Sequence, residues 1–291
     1  MAKCTVCFRH CDIEEGGLGF CCGRTCINGT VVSANYGKLT ALNLDPIEKK
    51  PLARFYPGSM ILSAGSYGCN LRCPFCQNYD ISWSDEVRAM ALNDEEFSES
   101  MVTPAELALI AARYKDRGNI GVAFTYNEPL IGYEFVRDTA KTVSEMGMKN
   151  VLVSNGTADL SVLEEILPYI DAMNIDLKGF TDDYYQRLLN GRRETVMRFI
   201  ERAASDCHIE LTTLIIPGEN DSEEEMREMT SWIASLTDKN GNSIGSSIPL
   251  HISRFFPTFK MTDRGATDVK LIYHLADVAR EKLKYVYTGN C

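Results

Sequence analysis

Gly68-Cys69-Asn70-Leu71-Arg72-Cys73-Pro74-Phe75-Cys76 puts three thiols in one short loop, in the spacing C-x3-C-x2-C. Three soft thiolate donors suit an iron–sulfur cube better than a hard cation. A cube has four irons, so three cysteines leave one iron without a protein ligand. An open metal position is what a catalytic centre needs and a structural site avoids. On spacing alone, two other readings stand: a zinc site closed by a distant fourth ligand, and three reduced core thiols.

Outward from this loop, the cysteines are unevenly spread. Nine of the eleven lie within the first 76 residues. Met1-Ala2-Lys3-Cys4 leads straight into them with no apolar leader. The longest apolar runs, such as Leu107 to Ala112, are far too short to span a bilayer. These features lead us to expect a cytoplasmic chain without membrane contact. In that compartment thiols stay reduced, so metal ligation is a better account of the cysteines than disulfides. A net charge of −10 argues against a nucleic-acid partner, which requires a basic face. With 291 residues, 45% hydrophobic and 24% charged, the chain has room for one large α/β barrel or two smaller domains.

Residues 1–56 are cysteine- and glycine-rich, with short strand candidates such as Thr30-Val31-Val32-Ser33. They read as a segment too small to hold together without a metal. Residues 57–291 read as the main domain with a C-terminal extension. Apolar runs mark strands at 60–63, 121–125, 151–154, 172–177, 209–216 and 250–253. Amphipathic stretches mark helices near 103–118, 130–147, 159–169, 181–204, 222–237 and 267–284. Thr103-Pro104 with Glu106, and Ser222 before three glutamates, are helix starts; Gly118 and Gly147 stand where helices end. Six β-then-α units imply a parallel sheet with right-handed crossovers, either barrel-like or doubly wound.

The cysteine spacing, with the aromatic Phe75 before the third cysteine, resembles the radical S-adenosylmethionine (SAM) superfamily. The resemblance implies a partial TIM-like (β/α)6 barrel with the cysteine loop after its first strand. It also implies a [4Fe–4S] cluster on Cys69, Cys73 and Cys76, with SAM on the open iron. Reductive cleavage of SAM would give a 5′-deoxyadenosyl radical that abstracts hydrogen from a substrate. A one-electron donor of the flavodoxin or ferredoxin type follows as a partner. In barrels of this type functional residues gather at the C-terminal strand ends.

Those ends are similar to the pyruvate formate-lyase activating enzymes, one per unit. Thr125-Tyr126-Asn127-Glu128-Pro129 stands where the superfamily has a Gly-Gly-Glu-like element, which aligns Glu128 with the residue that meets the SAM amino group. Read without the family, Glu128 is a carboxylate at a helix start. Ser154-Asn155-Gly156 resembles the Thr-Asn-Gly turn of the activating enzymes. Asp176-Leu177-Lys178 matches their Asp-Leu-Lys; strand alternation sends Asp176 and Lys178 to one face, opposite Ile175 and Leu177. An acid there suits ribose hydroxyls and an ammonium suits a carboxylate, although a structural ion pair is the alternative. Pro217-Gly218-Glu219-Asn220-Asp221 is close to their Pro-Gly-x-x-Asp turn. His251 stands where a histidine contacts SAM, and Cys76 to Trp83 is similar to their Cys-x-Asn-x-x-x-x-Trp stretch.

Cys4, Cys7 and Cys11, followed by Gly16-Gly17-Leu18-Gly19-Phe20-Cys21, resemble the N-terminal element of the radical SAM enzymes of the AmmeMemoRadiSam system. Asp45 to Leu52 and Phe259 to Asp263 also resemble that group. Cys4, Cys7, Cys11 and Cys21 are a donor set for a tetrahedral zinc or an auxiliary iron–sulfur cluster. Cys22 and Cys26 are additional. Members of the group commonly carry a cysteine pair after a Tyr-Val-Tyr-x-Gly-Asn stretch; here Tyr285 to Asn290 is followed by Cys291.

The expected activity is therefore radical SAM chemistry on a peptide, a protein or a small molecule. Activation of a glycyl-radical protein is the second enzymatic reading, and a non-enzymatic iron–sulfur electron carrier is the third. A carrier has no use for inward Asp176, Lys178 and His251.

Overall fold

The computed structural model describes residues 1–92 and 101–291. Two short antiparallel pairs open the chain: β1 (Ala2–Lys3) with β2 (Asp12–Ile13), and β3 (Arg24–Ile27) with β4 (Thr30–Ser33). Asn28 and Gly29 turn the second pair at φ +52° and +72°, the backbone a two-residue hairpin needs. β5 (Ala41–Pro46) then leaves the head and pairs antiparallel with β6 (Met60–Gly65). The cysteine loop follows β6, with two small helices after it, α1 (Tyr79–Ser82) and α2 (Asp85–Leu92).

From there strand and helix alternate as expected. α3 (Pro104–Arg113) leads to β7 (Asn119–Phe124), α4 (Tyr133–Glu145) to β8 (Lys149–Ser154), and α5 (Leu160–Ile166) to β9 (Ala172–Asp176). α6 (Arg193–Ala204) leads to β10 (His208–Ile215), and α7 (Glu223–Ala234) to β11 (Leu250–Arg254). α8 (Val269–Arg280) ends the series before β12 (Val286–Gly289). The eight-stranded sheet runs β12-β11-β10-β9-β8-β7-β6-β5, parallel from β6 to β12, and β5 and β12 do not pair. This is a barrel left open: six β/α units with one extra strand on each edge.

Strand alternation divides the apolar residues between two cores. Leu62, Val122, Leu152 and Met173 join the helices in the main core. Ile61, Ala123, Val151 and Ala172 face the barrel interior, where Ile47 and Leu52 from the β5–β6 connection pack against them. Polar clamps hold that connection in place. Asn174 Nδ2 donates to the Pro51 carbonyl at 2.8 Å, and the Glu210 carboxylate accepts from the Ala53 and Arg54 N–H groups at 2.9 and 2.7 Å. Residues 41–56, assigned to the head on composition, thus form the edge strand and floor of the barrel. The head's Cys4, Val6 and Ile13 also lie in the main core.

The helix caps appear where the sequence put them. Thr103 Oγ1 accepts from Glu106 N–H while Glu106 reaches back to the Thr103 N–H, and Ser222 caps α7 by accepting from Glu225 N–H. The expected helix over 181–204 is broken instead. A π-turn spans Tyr184–Leu188, then Asn190 (φ +52°) and Gly191 reverse the chain ahead of α6. A Cβ on Gly191 would stand 2.8 Å from Leu71, so the break lets this turn reach the cysteine loop. No described helix is long and apolar enough to cross a membrane.

Candidate active site

The cysteine loop is fixed from several directions. Ser66 N–H donates to Asn127, Gly68 N–H to the Ile81 carbonyl, and Arg72 N–H to the Leu189 carbonyl. Gly68 holds φ +92°, and a Cβ there would stand 2.4 Å from the Cys21 carbonyl oxygen. Only glycine allows the head and the loop to approach so closely. Arg72 donates from its guanidinium to the Cys69 and Leu71 carbonyls, both at 2.8 Å.

Cys73 is buried; Cys69 and Cys76 are half-buried. Burial pushes all three thiols up, Cys73 to about 12. Burial disfavours the charged form of each thiol. Donors already point at the sulfurs: Leu71 N–H at 3.4 Å and Asn155 Nδ2 at 3.8 Å from Cys69, with Ser82 bonded to Cys76. Among the described residues no three His, Cys, Asp or Glu side chains form a set for one metal ion. In an iron–sulfur cube each of three such cysteines takes a different iron.

Strand ends β7 to β9 bring the expected polar residues to this loop. Glu128 is buried at 3% exposure and accepts from Ser154 Oγ (2.9 Å), Asn155 N–H (2.8 Å) and Leu130 N–H (3.1 Å). Burial raises its carboxyl to about 7 despite these bonds. Glu128 also starts the short helix Pro129–Gly132, so both readings of this residue meet in one geometry. Gly156 holds φ +66°, and a Cβ there would stand 2.9 Å from Ile175 Cγ2. Glycine is needed for the turn that points Ser154 and Asn155 at Glu128.

Lys178 Nζ pairs with Asp176 at 2.8 Å, while Ile175 and Leu177 are buried in the core behind them. Burial opposes the ammonium's charge, but Asp176 and the thiols of Cys73 and Cys76 hold its pKa above the ordinary value. The turn after β10 braces this pair: Gly218 N–H donates to Asp221, and Asn220 Nδ2 donates to the Lys178 carbonyl.

His251 stands apart. Its Nε2 lies 2.6 Å from Glu210 and its ring stacks on Tyr287, so its contacts are on the barrel wall. Glu210, absent from the sequence reading, is fully buried. Burial opposes its ionisation, yet bonds from His208, His251 and the Ala53 and Arg54 N–H groups hold the carboxyl at about 2. An acid inside a strand is the signal that was available for it. Asn70 was also passed over, although it links the cysteine loop to the β8–α5 turn through Asn155 (2.9 Å) and Thr157 (2.8 Å).

Over the loop's outer side Tyr79 stacks on Phe259 at 4.3 Å, and Trp83 meets the same ring edge-on. Lys260 N–H bonds the Pro74 carbonyl and its Nζ lies 4.4 Å from the Trp83 ring. The Cys76-to-Trp83 stretch and the Phe259 stretch thus form one aromatic and cationic rim.

Residues 64–230 match the model of the radical SAM superfamily. The chain is 38% identical over 290 residues to an uncharacterized protein of Methanocaldococcus jannaschii, covering 99% of this chain and 81% of that one. It is 28% identical over 170 residues to the pyruvate formate-lyase-activating enzyme of Clostridium pasteurianum, covering 58% of this chain and 67% of the relative. Among solved structures, Streptococcus suis SuiB bound to S-adenosylmethionine superposes with a TM-score of 0.56 at 13% identity. That match covers 77% of this chain and 48% of SuiB, a likeness of fold.

Proposed function

The chain belongs to the radical SAM superfamily, and from that premise we propose that Cys69, Cys73 and Cys76 hold its [4Fe–4S] cluster, with SAM across the strand ends at Glu128, Ser154, Asn155, Asp176, Lys178 and His251. One observation carries the reading. The three thiols share a single loop after β6, and the Asp176–Lys178 pair and the Glu128–Ser154–Asn155 network converge on that loop. The cluster that Cys69, Cys73 and Cys76 would hold would supply one-electron chemistry for the reductive cleavage of SAM and hydrogen abstraction from a substrate.

The protein's own residues divide the remaining work. Lys178 offers an ammonium to a carboxylate, and Asp176 offers an acceptor to hydroxyls. Glu128 fixes the Ser154–Asn155 turn and presents a carboxyl to an amine. His251, held by Glu210, presents its ring beside Tyr287 to a flat group. The rim of Tyr79, Trp83 and Phe259 covers the outer side of the cysteine loop.

The substrate we propose is a peptide, a protein or a small molecule, with reducing equivalents from a one-electron donor of the flavodoxin or ferredoxin type. Activation of a glycyl-radical protein is the second reading, supported by the likeness to a pyruvate formate-lyase-activating enzyme whose match covers 58% of this chain. Formation of 5′-deoxyadenosine from SAM and dithionite by the anaerobically reconstituted protein is the test. Its absence, or its persistence in Cys69→Ala with iron still bound at that loop, overturns the reading. An electron carrier would bind iron and leave SAM intact.

A further inference from the structure

The four head cysteines singled out by spacing line one small cavity. Cys4, Cys7, Cys11 and Cys21 border it together with Arg9 and Arg24. The two additional cysteines do not. Cys26 is wholly buried beside Glu15, and Cys22 packs with Tyr67 and Val87 in a cluster of its own.

We propose that Cys4, Cys7, Cys11 and Cys21 hold a second [4Fe–4S] cluster, with every iron ligated by the protein.

The first support is the donor set. Four thiolates close a cube, and they leave none of the vacancy proposed at the three-cysteine loop. A tetrahedral zinc would pull the same sulfurs to about 4 Å from one another. In the structure the four thiols border one space between them.

The second support is an idle buried donor beside two arginines. A cube bearing four thiolates is an anion. Arg24 is 4% exposed and borders the cavity, and its Nε–H has no hydrogen-bond partner although Glu134 takes the far end of the guanidinium. A buried donor left idle is destabilising, and an anionic neighbour relieves it. Arg9 stands on the other side, within electrostatic reach of Cys7, Cys11 and also Cys69. Backbone N–H groups of Arg9 and Gly23 already donate to Cys7 and Cys21, the kind of bond that cluster sulfurs accept.

The third support is the join between the two sites. Cys7 bonds to the Asn70 side chain, and Asn70 bonds to Asn155, whose Nδ2 faces Cys69. Cys21 packs its carbonyl on Gly68. The head's Val6–Phe8 backbone bonds to the Thr157–Asp159 segment after β8. A second centre here would lie one hydrogen-bonded chain from the first, which suits it to exchange electrons with that site.

Iron and acid-labile sulfide are counted in the anaerobically reconstituted protein and in the triple variant Cys69→Ala, Cys73→Ala, Cys76→Ala. Mössbauer and electron paramagnetic resonance spectra define the cluster type. The proposal expects about eight irons in the wild type and about four in the triple variant, which keeps a reducible [4Fe–4S] signal and lacks SAM cleavage. About four irons in the wild type and none in the triple variant overturns the head cluster and leaves the catalytic one standing. One zinc per chain in the triple variant also overturns it. About four irons in both proteins would instead remove the cluster assigned to Cys69, Cys73 and Cys76. Where the triple variant fails to fold, a wild-type count of about eight supports the proposal, and a count of about four with 5′-deoxyadenosine formed from SAM overturns it.

Discussion

Asn155 Nδ2 donates to Asn70 Oδ1 at 2.9 Å across 85 residues of chain. Asn70 in turn donates to Thr157 Oγ1 (2.8 Å), and Thr157 Oγ1 donates to Asn155 Oδ1 (2.6 Å), closing a buried ring. The turn after β8 is thereby locked to the loop that carries the cysteines. Both ends of the candidate site move together or not at all.

Replacing Asn155 by aspartate tests that lock. The variant loses a donor and sets a carboxylate against Asn70 Oδ1 and the Cys69 sulfur. Leaving a buried acceptor unpaired costs about 1–3 kcal/mol, more with charge. Urea unfolding should show at least that loss, and iron retention at Cys69 should fall. Asn155→Ala should lose stability without the added charge effect.

Asp176→Asn tests the nucleotide pocket. The amide keeps the shape but loses the charge that Lys178 and a hydroxylated ligand use. A hydrogen bond to a charged group is worth about 1.5–3 kcal/mol, or roughly 10- to 150-fold in affinity. Equilibrium dialysis of SAM into the iron-loaded variant should show that weakening with iron content unchanged. Unchanged affinity would make the pair a structural ion pair only.

Glu210 predicts a pH dependence of folding. Its carboxyl sits at about 2 in the folded chain against an ordinary 4.5, because bonds from His208, His251 and two backbone N–H groups outweigh burial. A depressed carboxyl stabilises above its unfolded pKa, and that contribution disappears as pH falls through the folded value. Melting temperature should therefore drop between about pH 4.5 and 2. Glu210→Gln should start lower at pH 7 and lose less across that window. An identical slope in both proteins would assign the acid sensitivity elsewhere.

Periodicity and punctuation made most of the barrel legible. Apolar runs from Met60 to Ser253 gave the six units, and the Thr103 and Ser222 caps fixed two helix starts. β12 was missed because Tyr285-Val286-Tyr287 is short and lies at an edge. β5 was missed because its alternation, Ala41-Leu42-Asn43-Leu44, is weak and joins the sheet antiparallel. The break at Asn190-Gly191 was hidden by helix-forming neighbours; its cause is the approach to Leu71, a contact far away in sequence. The candidate site was legible where residue types are rare, as with Cys69, Cys73, Cys76 and the Asp176–Lys178 pair. It was illegible where ordinary asparagines and one strand glutamate act through distant partners.

Gly68 offers the sharpest test of how the head meets the loop. Gly58 and Gly68 both hold left-handed backbone, at φ +81° and +92°. A Cβ on Gly58 has nothing within 4 Å, whereas on Gly68 it would stand 2.4 Å from the Cys21 carbonyl and 2.8 Å from Ile131 Cδ1. Gly58→Ala should therefore cost only the conformational penalty, about 1–2 kcal/mol. Gly68→Ala should cost that and a further 1–3 kcal/mol, roughly, from crowding the backbone of the head. Denaturant midpoints of the two variants give the difference directly. Equal midpoints would mean that the head can lift from the cysteine loop without penalty, and the tight join between Cys21 and Gly68 would then be lost as a structural element.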